Sequence, residues 1–190
     1  MSRKVLLLTG DGGDGYEVLY AFQRFLEARW EPVIAALARR PLHLVIRDRE
    51  PGWSTYVERP GHTIDADVAV TAVAAKDFAA LLILGGRAPE YLRNDPSVLS
   101  LVREFMGQDK WIFAIGHGVQ LLTAAGLATG RMLTAHEHVQ VEVERAGGTY
   151  LSKQAVRDGR LVTGQNWRSH PEFYREIFFC LGEVTRGAGS

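Results

Sequence analysis

Trp111-Ile112-Phe113-Ala114-Ile115-Gly116-His117-Gly118-Val119-Gln120-Leu121-Leu122 is the stretch on which the reading of this chain turns. Five residues that suit a strand buried on both faces run into Gly-His-Gly. The chain then takes up a helical pattern that continues to Ala125 and stops at Gly126. A strand-to-helix turn of this kind lifts one side chain to the top of a sheet, beside the unpaired N–H groups of a helix start. The raised residue is typically held in strained backbone geometry. Here it is Gly116, which suits the backbone and brings no chemistry.

The same kind of unit recurs upstream. Residues 5–9 form a short apolar run closed by glycines, and residues 17–30 put Val18, Ala21, Phe22, Phe25 and Leu26 on one helical face. A second apolar run follows at 32–37, so the spacing predicts a βαβ unit with parallel pairing and a right-handed crossover. Residues 79–84 are a further run closed by Gly85-Gly86, and Asp95-Pro96 opens a helix over 97–106. Residues 42–59 suit a β-hairpin, Arg157-Asp158-Gly159-Arg160 a turn between two short strands, and 171–181 a last helix before a Gly/Ser-rich end. Residues 136–144 admit two readings. Val139, Val141 and Val143 alternate as in a strand, whereas Gly147-Gly148 closes the segment like a helix C-cap. The sum is one α/β unit over residues 1–190, a three-layer sandwich around a mostly parallel sheet.

Composition narrows the function classes. Hydrophobic residues at 46% and charged residues at 23% of 190 exclude wholesale disorder and suffice for an unaided core. Lys plus Arg and Asp plus Glu are 22 each, so a net charge of zero leaves no electrostatic footprint for nucleic acid or an anionic membrane. The single cysteine, Cys180, excludes a disulfide framework. The run at 5–8 is shorter than the roughly 7–15 residues of a secretory core and the about 20 of a membrane span. No membrane partner and a cytoplasmic location are therefore expected.

Gly10-Asp11-Gly12-Gly13-Asp14-Gly15 satisfies G-x-G-x-x-G between a strand and a helix. Asp11, Asp14 and Glu17, however, put three carboxylates where a pyrophosphate needs donors, and the second run ends in Ala38-Arg39-Arg40 rather than an acid. No cofactor is expected. Glu17 stands at the carboxyl edge of the sheet, where such folds place their sites, and a partly apolar setting should make it hard to ionise. His136 and His138 flank Glu137, but no third ligand is evident and on a helix the two rings would diverge, so no metal is expected. Trp53, Trp167 and His170 read either as pocket walls or as aromatic core. Arg39, Arg40, Arg47, Asp48, Arg49 and Glu50 read as a solvated surface. Cys180 follows Ile177-Phe178-Phe179 and reads as a buried, inert thiol.

Further stretches belong with the elbow. They are Tyr16-Glu17-Val18, Glu58-Arg59-Pro60-Gly61-His62, Gly85-Gly86-Arg87-Ala88-Pro89-Glu90-Tyr91-Leu92, Ala124-Ala125-Gly126-Leu127, Gly130-Arg131 and His170-Pro171-Glu172-Phe173. Over nearly the whole chain they resemble the DJ-1/PfpI (ThiJ/PfpI) superfamily, with its glutamine-amidotransferase-like, flavodoxin-like fold. The likeness is strongest to the PfpI-type proteases and the plant DJ-1 homologues with glyoxalase-type activity. That resemblance implies a nucleophilic cysteine at position 116, with His117 and Glu17 as its partners. It implies that Glu90 reaches the histidine of a neighbouring subunit, hence a homodimer or larger homo-oligomer. It also implies a helix from about Glu137.

Gly116 departs from the pattern at its centre. Without a thiolate, glyoxalase, deglycase and peptidase chemistry has no nucleophile. Two origins stay open: loss in the natural protein, or replacement by design to disable it. Two function classes follow. One is a pseudoenzyme of stress or carbonyl metabolism that binds a small carbonyl or carboxylate ligand, or a partner, without turnover. The other is an enzyme, either a cysteine enzyme disabled at residue 116 or one in which Glu17 and His117 run non-covalent acid–base chemistry.

Overall fold

In the computed structural model, which describes residues 3–183, the apolar runs become the strands of one central sheet, and the Gly/Ser-rich end lies outside the described residues. The chain runs β1 (Lys4–Leu8), α1 (Gly15–Glu27), β2 (Glu31–Ala36), β3 (Pro41–Asp48), β4 (Val57–Asp65) and β5 (Val68–Ala69). It continues through β6 (Ala80–Ile83), α2 (Ala88–Leu92), α3 (Pro96–Gly107), β7 (Trp111–Ile115) and α4 (Val119–Ala124). The last elements are β8 (Met132–Leu133), α5 (Gln140–Arg145), β9 (Thr149–Tyr150), β10 (Ala155–Asp158), β11 (Leu161–Gly164) and α6 (His170–Cys180). The seven-stranded sheet has the order β10-β11-β7-β6-β1-β2-β5, and only β10 runs antiparallel to its neighbour.

The alternation of side chains along a strand makes the three layers. In β1, Leu6 and Leu8 join one core with Val102 and Phe105 of α3 and Leu121 of α4, whereas Val5 and Leu7 join the other with Phe25 of α1 and Phe173 and Phe178 of α6. All four β1 side chains are fully buried, each contributing about 1.5–3 kcal/mol of hydrophobic stabilisation. Helix starts are fixed by side chains. Asp14 accepts from the N–H groups of Tyr16 and Glu17 at the start of α1, and Asp95 does the same for Ser97 ahead of Pro96 in α3.

The β3–β4 hairpin stands outside the main sheet and is pinned to the first loop, Val45 donating to the Gly13 carbonyl at 2.9 Å and Gly12 to that of His43 at 2.8 Å. Residues 137–145 are helical, a 3-10 turn Glu137–Val139 leading into α5. The valines explain why alternation misleads there: Val139 and Val143, four apart, are buried on one helical face while Val141 is exposed. β11 stops at Gly164, and Asn166 caps the 3-10 turn Trp167–Ser169 that leads into α6. Among the described residues no helix is long and apolar enough to cross a membrane.

The elbow follows β7. Gly116 has φ +57°, a left-handed conformation that costs a residue with a Cβ, and a 3-10 turn Gly116–Gly118 leads into α4. Gly118 is required for space: a Cβ there would stand 2.6 Å from the Ile83 carbonyl oxygen of β6. Gly118→Ala is expected to lower unfolding free energy by about 1–3 kcal/mol in urea titrations, through overpacking. Gly107→Ala, where a Cβ meets nothing within 4 Å, should be neutral or stabilising by up to about 1 kcal/mol.

Candidate functional site

Three connections meet at the carboxyl edge of the sheet: the loop after β1, the turn after β6 and the elbow after β7. Asp14 donates its backbone N–H to the Gly85 carbonyl at 3.3 Å, and Arg87 donates to that of Gly12 at 2.7 Å, which ties the first two together. Glu17, in the first turn of α1, is turned inward and is 3% exposed. Its Oε2 accepts from the Gly85 N–H at 2.8 Å, and its Oε1 lies 3.2 Å from where a Cβ on Gly116 would stand. Burial, reinforced by the neighbouring Asp14 carboxyl, pushes Glu17 up to about 8, against the opposing pull of the Gly85 N–H and Arg47. At neutral pH the group is mainly a carboxylic acid. With Oε2 engaged as an acceptor, Oε1 is the oxygen free to carry the proton toward residue 116.

His117 is buried beside it, and its Nδ1 lies 3.3 Å from Nη1 of Arg47. A guanidinium only donates, so Nδ1 accepts and the neutral ring carries its proton on Nε2. Burial, then Arg47, His136 and His138, holds the ring down at about 3. Arg47 in turn is fixed by Glu58, with Nε 2.9 Å and Nη2 2.8 Å from the same carboxylate oxygen, and it lies 4.0 Å over the Tyr56 ring. Glu58 also binds Arg87. These groups surround a cavity of about 270 Å³ whose walls include Glu17, Gly116, His117, Arg47, Tyr56 and His136. Its donors, the Glu17 acid, the His117 Nε2–H and the Arg47 guanidinium, suit an oxygen that only accepts.

Of the residues singled out from the sequence, the structure brings Glu17, Gly116, His117, His136 and Trp167 to this cavity, together with Asp14, Arg47, Asp48 and Arg49. His170 is not in its lining. It is buried between α1 and α6, stacked on Tyr20 at 4.4 Å, and burial holds it down at about 4. Trp53 is 62% exposed and is neither wall nor core. Glu90 is exposed on α2, outside the lining but close enough to act electrostatically on Tyr56 and Arg87. Cys180 is half-buried at the end of α6 and takes no part in the lining. The His136 and His138 rings do not diverge. Their centroids are 4.7 Å apart because His136 is the extended N-cap of the 3-10 turn rather than part of a helix, its Nδ1 accepting from the His138 N–H. No group of three or more His, Cys, Asp or Glu side chains among the described residues is placed to hold a metal.

Arg47 departs from the reading of Arg39, Arg40, Arg47, Asp48, Arg49 and Glu50 as a solvated surface, because its side chain is only 7% exposed. Leu42 and Leu44 face inward on β3, but the ladder shifts register between His43 and Val45. Beyond the shift the phase reverses, so Arg47 turns in and Ile46 turns out. Alternation alone could not reveal this. Glu58 lay within a stretch that carried the family likeness, which was the available signal for its importance; Tyr56 had none.

The ionisation states make stability depend on pH with a worked sign. Glu17 has a folded value of about 8 against an ordinary 4.5, so its contribution is complete below 4.5 and is lost as pH rises toward 8. His117, His136 and His170 are depressed from 6.5 to about 3, 4 and 4, so their contribution is present above 6.5 and lost as pH falls. At pH 6.5 the three histidines of the unfolded chain still outweigh Glu17, and the Glu17 effect dominates among these four above about pH 7.5. Unfolding free energy from urea titrations should fall between about pH 7.5 and 8.5 by less than about 1.4 kcal/mol per pH unit, and the decline should vanish in Glu17→Gln.

Comparison with known proteins places this geometry. The DJ-1/PfpI family pattern matches residues 3–179. The chain is 39% identical over 189 residues to Protein DJ-1 homolog D of Arabidopsis thaliana, covering 95% of this chain and 48% of that protein, so it spans about half the length of that relative. It is 30% identical over 183 residues to Protein/nucleic acid deglycase 2 of Escherichia coli (strain K12), covering 96% of this chain and 99% of that protein. Among solved structures, a two-domain protein from Anabaena variabilis with DJ-1/ThiJ/PfpI-like and ferritin-like domains superposes with a TM-score of 0.82. It is 26% identical, and the match covers 97% of this chain and 52% of that one. An α/β sandwich with its buried glutamate and histidine gathered at the elbow after β7, matched by the family pattern from residue 3 to 179, belongs to the DJ-1/PfpI family.

Proposed function

We propose that the chain binds a small carbonyl or carboxylate compound in the cavity above Gly116 and does so without covalent turnover. One observation carries the reading: the neutral Glu17 carboxyl meets a residue without a side chain, Oε1 lying 3.2 Å from the position of a Cβ at 116. In the superfamily that the sequence resembles, a nucleophilic cysteine stands there. The deglycase name of the Escherichia coli relative supports carbonyl compounds as the ligand class. Glu17 and His117 serve as donors to the ligand oxygen, and no thiolate is present to form a covalent adduct. A homo-oligomer with Glu90 at its interface belongs to the same proposal, supported by the exposure of Glu90 beside Tyr56 and Arg87.

A second reading, non-covalent acid–base catalysis, has one observation in its favour. A general acid works best with a pKa near the operating pH, and Glu17 at about 8 meets that condition.

Gly116→Cys, made in a Cys180→Ser background, separates the two. The installed thiol should titrate below the ordinary value of about 8.5 in alkylation against pH, because it sits at a helix start beside a protonated carboxyl. The substitution should cost about 1–3 kcal/mol, since a residue with a Cβ takes up the left-handed backbone. The parent should leave methylglyoxal unconsumed while the variant turns it over. Consumption by the parent at a comparable rate, abolished by Glu17→Gln, would replace the binding reading with the acid–base one.

A further inference from the structure

Large apolar side chains exposed singly are ordinary on a protein surface; clusters are not. Among the described residues nine such side chains are exposed, and three of them, Tyr16, Ile46 and Trp167, line one groove of about 480 Å³ together with Leu19. This groove shares Asp14, Arg47, Asp48 and Trp167 with the cavity above Gly116. The two therefore adjoin, the inner one lined mainly by polar groups and the outer one mainly by apolar ones.

The outer walls are braced by ring contacts. The Tyr16 ring stands edge-on to Trp167 at 5.6 Å and is backed by His170 at 5.2 Å and Tyr20 at 6.2 Å. His170 is in turn stacked on Tyr20, so its buried ring props the exposed pair. The Arg168 guanidinium lies 5.2 Å from the Trp167 ring. Ile46 is turned outward by the register shift that turns Arg47 inward. Two aromatic rings fixed in this way present apolar area at little further cost in side-chain entropy.

Size points the same way. The inner cavity, about 270 Å³, falls just short of the roughly 300–1,000 Å³ usual for small-molecule sites, and the groove brings the whole into that range. We infer that the ligand is bipartite: a carbonyl or carboxylate head against Glu17 and His117, and an apolar, preferably aromatic, group seated between Tyr16, Trp167 and Ile46. The inference rests on the binding reading proposed above and adds the class of compound to it.

Calorimetric titration with pyruvate and with phenylpyruvate tests it, because the two share a head and differ in the aromatic group. The readout is the ratio of their affinities, which cancels any general loss in a variant. The parent should bind phenylpyruvate at least tenfold more tightly, and the ratio should fall below about threefold in Tyr16→Ala and in Ile46→Glu. Ile46 is 46% exposed, so its replacement leaves the core untouched. Pyruvate binding with a ratio near one overturns the inference and leaves the functional proposal standing. Binding of neither compound overturns both. Sedimentation provides the last arm: a parent that self-associates at micromolar concentration and is dissociated by Ile46→Glu has this groove covered by a second copy, which overturns the inference.

Discussion

One hydrogen bond organises this sheet edge, from the backbone N–H of Gly85 to Oε2 of Glu17 at 2.8 Å. It joins the first helix to the turn after β6 and fixes a carboxyl where water cannot solvate it. A single N–H does not repay the desolvation of a carboxylate, and the nearby Asp14 opposes a second negative charge, so the group keeps its proton. Asp14 cannot be dispensed with, because it caps the helix that carries Glu17. The same residue thus fixes the position of the acid and reinforces the burial that keeps it protonated. Residue 116 then meets a donor rather than a negative charge.

The histidine beside the elbow is governed from another part of the fold. Arg47 comes from the β3–β4 hairpin, which is outside the main sheet and attached to the loop after β1 by backbone hydrogen bonds. Its charge is balanced by Glu58 from the paired strand, so the hairpin delivers the ion pair as a unit. Arg47 acts on both site groups in the same sense, favouring ionised Glu17 and neutral His117, but burial outweighs it at the glutamate and reinforces it at the histidine. Around Gly116 the cavity therefore presents an uncharged acid, an uncharged imidazole and a paired guanidinium, while Asp48, Arg49 and Arg168 stand elsewhere in its wall. The first three can exchange hydrogen bonds with an uncharged carbonyl without first desolvating an unpaired ion.

Much of this was legible in the residues. Four apolar runs, three of them closed by glycines, with amphipathic helices between them, sufficed for the parallel sheet, because strands buried on both faces leave little ambiguity of type. The Gly-His-Gly break after residues 111–115 located the elbow, and the position of Glu17 after the first glycine loop placed it at the same sheet edge. What could not be read was whatever depended on a local irregularity. The register shift in β3 inverted the facing of Ile46 and Arg47. The N-cap at His136 brought together two rings that a helix would have separated. Three valines spaced by two left strand and helix both open on the residues alone; the pair four apart packs, as in the helix that the family likeness implied. His170 takes the second of its two readings, aromatic core: a polar ring can be buried by stacking on aromatics alone, and composition does not distinguish that from a ligand wall.

The central claim is that Glu17 is a buried carboxylic acid at neutral pH, positioned to donate toward residue 116. Infrared difference spectroscopy across a pH titration, with Glu17→Gln as the reference, observes that carboxyl directly. The account predicts a protonated carbonyl band at neutral pH that disappears with a midpoint of about 8 and is missing from Glu17→Gln. A band lost near the ordinary glutamate value of 4.5 would contradict it, because the cavity would then present a carboxylate to whatever enters.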